Sequence, residues 1–291
     1  MDSKGSFLGR IGKPVRRATA FFLVLLFLTS INLTAGVLVA PTSIILSEHD
    51  RTGRMTVQNP TDMPKEVSIS FGFGLPESDS LGNVTLRIHD STEIDHPRSA
   101  LNWIRAFPRK VVLAPGATQV VRFVARPPKD LPDGEYWARI IVKSQESQPD
   151  IPSAASAEQI TTRLNMIMQT AIVLKYRTGN LIAKLDIKDT RVEETDSLVA
   201  VTIDMVNLGN VSYVGILKCR LIDANKQEIS HRTINLAVYE DFKRRVDLPI
   251  TAGTFRRPFE VEVSIESGGR KDIPEEELIH GNSFEYSMMV Q

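Results

Sequence analysis

The sequence predicts an all-β fold: two β-sandwich domains joined by a short linker, behind an N-terminal leader. Three observations carry this. The chain of 291 residues is too long for one small domain and suits two of ordinary size. After Gly36 the helical period nearly vanishes, and short runs of period two recur between turns built from Pro, Gly and Asn. The composition, 42% hydrophobic and 24% charged, supplies both a core and a solvated surface.

The leader comes first. Lys4, Arg10, Lys13, Arg16 and Arg17 stand against Asp2 alone, which gives 1–36 a net charge of +4 and leaves the rest of the neutral chain at −4. The apolar run 18–28 follows, then small and polar residues through Gly36. This is the order of a secretory signal peptide, with cleavage expected near Ala35 or Gly36 and Ala40 as second choice. The alternative is an uncleaved anchor, because 20–40 just reaches the ~20 residues of a spanning helix. Ser30, Asn32 and Thr34 interrupt that stretch, and no later stretch offers a membrane span.

A first set of strands is expected at 37–46, 54–58, 66–73, 84–88, 109–113, 119–125, 136–143 and 163–176. In 66–73 the alternation is clear: Val67, Ile69, Phe71 and Phe73 on one side, Ser68, Ser70 and Gly72 on the other. Pro115-Gly116 reads as a turn. The stretch 144–162, rich in Ser, Gln, Ala and Pro, reads as a long loop, either functional or disordered. A second set is expected at 181–189, 197–207, 214–223, 229–238, 242–248, 259–265 and 283–290, with the joint at 176–180. Each set has the strand count and spacing of a sandwich.

Chemistry is scarce. There is no G-x-S-x-G elbow, P-loop, H-E-x-x-H or dinucleotide fingerprint, and the five histidines never fall at metal-ligand spacing. Nothing suggests an enzyme or a cofactor. The balanced charge gives no reason to expect nucleic acid. The single cysteine, Cys219, excludes an internal disulfide and sits in an expected strand; a buried thiol is the plain reading, a nucleophile activated by Lys218 and Arg220 the other. Asn83-Val84-Thr85 and Asn210-Val211-Ser212 have the form of glycosylation acceptors, relevant only in a eukaryotic secretory pathway.

One segment differs from the rest. Around 164–177, Leu164, Met166 and Met168 share one strand face while Ile167, Ala171 and Val173 share the other. A strand apolar on both faces is either central in a sandwich or an edge that faces a partner. Exposed edges are normally an aggregation hazard, tolerable where pairing is the function.

Four stretches together resemble the periplasmic pilus (fimbrial) chaperones. They are 39–46 followed by Met55-Thr56-Val57-Gln58-Asn59-Pro60; 103–108 with Leu113-Ala114-Pro115-Gly116; Leu131-Pro132-Asp133-Gly134-Glu135-Tyr136; and 164–177, ending in Tyr176-Arg177. They cover 37–177; the second half matches only in size and strand richness. The resemblance implies two immunoglobulin-like domains, 37–177 and 181–291, after a signal peptide at 1–36. It implies a non-enzymatic, periplasmic chaperone that lends a strand, residues about 164–174, to pilus subunits for delivery to an outer-membrane usher. Leu164, Met166, Met168, Ile172 and Leu174 would be the subunit-binding side chains. Glu135 and Arg177 would form an interdomain ion pair. The family's basic pair, which holds a subunit carboxylate, falls at Ser43 and Val173, both uncharged here, with Lys175 as the candidate substitute. That departure supports an alternative: a non-catalytic periplasmic two-sandwich protein with a binding or structural role.

Overall fold

The computed structural model describes residues 36–89, 94–147, 166–251 and 256–290. Residues 36–291 form one compact unit. No α-helix occurs among the described residues; the chain is strands, turns and short 3-10 segments. Residues 1–35 of the leader, Leu164 and residues 148–162 lie outside the described residues.

The first sandwich is built from two sheets. One is the four-stranded sheet β1(Leu38–Ala40)–β3(Thr52–Gln58)–β9(Thr118–Ala125)–β7(Ile104–Phe107). The other has five strands in the order β2(Ser43–Ser47)–β11(Met168–Thr178)–β10(Gly134–Glu146)–β4(Lys65–Gly72)–β8(Lys110–Leu113). Every pairing is antiparallel except β2 with β11, which is parallel. Where one opening strand was expected at 37–46, the chain makes β1 and β2 in different sheets. Pro41, between them, has no N–H to carry a ladder onward. This placement of strands is that of an immunoglobulin-like sandwich. Met55, Val57, Val121 and Phe123 from one sheet meet Ile69, Ile140, Val142, Ile172 and Leu174 from the other in a buried core. Trp103 lies edge-on to Tyr176, with ring centroids 5.0 Å apart.

The second sandwich sets β12(Leu185–Glu194)–β13(Leu198–Asn207)–β16(Asp241–Pro249) against β15(Glu228–Val238)–β14(Tyr213–Ile222)–β17(Phe259–Ser267)–β18(Phe284–Val290). Its core joins Val199, Val201, Ile203 and Val246 to Leu217, Cys219, Val261 and Val263. Burial pushes the Cys219 thiol up to about 12, which removes the nucleophile reading.

The run expected as a sandwich strand at 84–88 is instead half of a small hairpin, β5(Pro76–Ser78) with β6(Val84–Leu86). The hairpin leaves the first sandwich and meets β16, the edge of the three-stranded sheet. The Arg245 amide donates to the Gly82 carbonyl at 3.0 Å and the Lys243 amide to Ser78 Oγ at 2.7 Å. Val84 packs against the second core. A sheet edge that would otherwise show bare donors is thereby covered.

Candidate functional site

The apolar segment singled out by the sequence becomes the open half of an edge. On one side β11 pairs with β10 along its whole length, from Ser144↔Met168 to Gly134↔Thr178. On the other, β2 covers only Val173 to Arg177. The flank of 168–172 therefore has no strand beside it among the described residues. Met166, Ile167 and Met168 are 56%, 49% and 38% exposed, so both faces of the chain end show apolar side chains to solvent. Met168 Sδ lies against Gly36, where any Cβ would collide with it.

Ile172 and Leu174 require a correction. They share the strand face of Met166 and Met168, but at 2% and 0% exposed they belong to the first core. The strand passes over the sandwich here, so its inward face is already occupied. Only the part that runs past the core has side chains to offer.

Behind this edge, on the opposite face of the sheet, lies a buried ion cluster. Glu135 is wholly buried, with Oε2 2.9 Å from Arg177 Nε and Oε1 3.1 Å from Lys175 Nζ. Trp137 Nε1 donates to Oε1 at 2.7 Å, and Ser212 donates to it through Oγ at 2.6 Å and its amide at 3.3 Å. Burial alone would push the Glu135 carboxyl up. The Lys175 ammonium and Arg177 guanidinium, with the hydrogen bonds of Ser212 and Trp137, outweigh it and hold the carboxyl at about 2. Lys175 is a member of this cluster: only 3% exposed, it also donates to Ser212 Oγ. Its ammonium is already committed, which corrects its reading as a free carboxylate anchor. Ser43 and Val173 do sit directly opposite each other in the β2–β11 ladder, and both are uncharged.

The second sandwich closes over the cluster. The Glu135 amide donates to the Asn210 carbonyl at 2.9 Å, and Arg177 Nη1 donates to the Glu277 carbonyl. Asn207 Nδ2 bonds the carbonyls of Val211 and Tyr239 at 2.7 and 3.0 Å, which fixes the turn carrying Tyr239. The Tyr239 ring stands edge-on to Trp137 at 5.0 Å. The partners Ser212 and Trp137 escaped sequence reasoning. In the sequence Ser212 stands out only as the third residue of a glycosylation-type triplet, and no periodicity marks a hydroxyl that will meet a carboxylate 77 residues earlier.

Among the described residues no group of His, Cys, Asp and Glu is arranged to hold a metal, and no helix is long and apolar enough to cross a membrane. The fold and site define a two-sandwich immunoglobulin-like protein whose β11 edge is unpaired over 168–172 among the described residues. No family model matches the chain, and no curated protein matches it. Solved structures of similar architecture do. The class 5 fimbriae chaperone CfaA is 16% identical, with a TM-score of 0.45, over 88% of this chain and 99% of that one. The Pseudomonas aeruginosa CupB2 chaperone is 12% identical, with a TM-score of 0.42, over 87% of this chain and all of that one, 100%. A match within the Salmonella enterica SafA pilin–SafB chaperone complex is 14% identical, with a TM-score of 0.40, over 87% and 96% of the two chains. At such identities and scores the likeness carries no argument about function, which rests on the residues themselves.

Proposed function

We propose that this protein is a periplasmic chaperone that holds pilus-type subunits by lending them the open half of β11. The observation that supports the reading best is the uncovered flank of 168–172 continuing into exposed Met166, Ile167 and Met168. An extended edge gains main-chain hydrogen bonds from an added strand, and alternate side chains fill pockets in the partner. Burying each methionine contributes about 1.5–3 kcal/mol before ordering costs. Methionine suits several related partners, being flexible and polarizable. Leu164 would extend the same face. The domain at 37–177 would bind, and the domain at 181–291 would brace it through Glu135, Lys175 and Arg177. The leader 1–36 would be removed on export, and an outer-membrane usher would receive the loaded subunit. The work is binding, without chemistry or cofactor.

The test is co-purification of the tagged protein with short β-rich subunits of the pilus type. Met166→Glu with Met168→Glu should abolish capture and leave the urea midpoint unchanged, since both side chains are exposed. Undiminished capture by the double variant would rule out strand lending through this face.

A further inference from the structure

The outer face of the four-stranded sheet carries charge that no neighbouring group answers. Along β1, β3, β9 and β7 the residues that alternate with the core positions point away from the core. Arg54 stands directly opposite Arg122, and Arg122 directly opposite Phe107, so the three form one row across β3, β9 and β7. The row on one side is Thr52, Val124 and Arg105; on the other it is Ala40, Thr56 and Val120. Beyond that row Leu38 stands opposite Gln58. Arg54, Arg105 and Arg122 are all exposed. Leu38, Val120 and Phe107, on the same face, are 55%, 43% and 61% exposed. The four strands contain no Asp or Glu, and the stretch 97–129 holds seven Lys or Arg without one acid. The ion pairs that arginines make among the described residues belong to Arg177, Arg191, Arg220, Arg245, Arg257 and Arg270, none of them on this face. Like charges directly opposite each other weaken a sheet, and Arg54 and Arg122 have no acid beside them to offset that. The excess is local, because the chain after Gly36 is net −4.

We infer that this face docks on an anionic phospholipid surface, with the three arginines on headgroup phosphates and Phe107 and Val120 at the boundary of the acyl chains. A guanidinium meets a phosphate bidentately through its planar fork. An anionic leaflet attracts each basic side chain held near it, and apolar side chains among the cations add buried area at the interface. A protein partner would call for matched donors, acceptors and hollows. The rows here offer guanidiniums and apolar tips instead, which suits phosphates lying over hydrocarbon. The path of the chain favours the same occupant. The strand β1, at the edge of this sheet, starts at Leu38, ten positions after Leu28 closes the apolar run 18–28. If that run directs export as proposed above, the chain between it and β1 spans at most about 35 Å until the leader is cut. That argument rests on the leader; the charge of the face does not.

Co-sedimentation with lipid vesicles tests this. The protein, purified after export, is spun with vesicles of phosphatidylglycerol and phosphatidylcholine in equal parts, and with phosphatidylcholine alone. Partitioning onto the mixed vesicles should be at least about tenfold stronger, and sodium chloride at about 1 M, which cuts the screening length to about 3 Å, should release most of the protein. Arg54→Gln and Arg122→Gln should each lower partitioning about fivefold, and roughly twenty-five-fold together. Their urea midpoints should not fall, since each removes one of two opposed like charges. Phe107→Ser should weaken binding to the mixed vesicles and leave its salt dependence as it was. Arg220→Gln is the control: its guanidinium is exposed on the second sandwich beside Glu228 and Glu262, and its loss should leave partitioning unchanged. Equal partitioning onto the two kinds of vesicle, or undiminished partitioning of the double arginine variant, would overturn the inference. Capture of soluble polyglutamate with no vesicle binding would overturn it too, by assigning the face to an acidic protein. Strand lending is read by subunit capture and docking by sedimentation, so either can fail while the other stands.

Discussion

Glu135 gathers its partners with no surface left to water, and this makes its charge state a stability term. Its folded value, about 2, lies below the ordinary 4.5, so the cluster stabilises the fold above about pH 4.5 and loses that contribution as pH falls from there towards 2. Urea midpoints measured between pH 7 and pH 3 should fall across that window, and Glu135→Gln should flatten the dependence. The same substitution at pH 7 leaves Lys175 and Arg177 buried without their counter-charge, at a cost of roughly 3–5 kcal/mol. Cys219 belongs at this scale too: with its thiol pushed up to about 12 and wholly buried, it should resist thiol reagents at pH 8 until urea unfolds the protein. Rapid labelling of the native state would contradict that burial. The resemblance implied a pairing of Glu135 with Arg177, and the two stand 2.9 Å apart, the distance of an ion pair. The sequence misread Lys175, because a lysine between apolar neighbours looks identical whether its ammonium is free or already bound.

Among the elements, the β5–β6 hairpin depends on one residue. Gly82 has φ +81, and a Cβ there would stand 2.7 Å from the Arg245 amide nitrogen it must approach. Gly82→Val should therefore cost about 1–3 kcal/mol and unhook the hairpin from β16. Hydrogen exchange would show it as faster exchange of the Lys243 and Arg245 amides, with β13 protected as before. Unchanged protection of both amides would mean that the hairpin does not cover that edge. Strand existence in the second sandwich was legible almost throughout, because alternation such as Val199, Val201 and Ile203 survives in a sheet with one buried face. The hairpin was not, since its pairing serves a distant strand; the Lys243–Ser78 bond spans 165 positions. Likewise 37–46 reads as one apolar run, and only the packed sheets reveal that the chain changes layers at Pro41.

For the whole molecule, two separate cores meet through a polar seam formed by Glu135, Lys175, Arg177 and Ser212. Both tryptophans, Trp103 and Trp137, belong to the first core, and Trp137 also touches Tyr239 across the seam, so their fluorescence reports the first sandwich and its contact with the second, while far-ultraviolet dichroism reports both sandwiches. The two signals should change together in urea, and Glu135→Gln should separate them by uncoupling the cores. Coincident transitions in the variant would place the coupling elsewhere.

The order in which the chain is made gives the seam a further meaning. Glu135 is synthesised 42 residues before Arg177 and 77 before Ser212. A nascent chain ending at Thr178 already has every strand of the first sandwich, β1 to β11. Its central carboxylate nevertheless still faces water on the side that Ser212 will later cover. A protein stopped at Thr178 would therefore carry every strand of its sandwich and an unsealed charge.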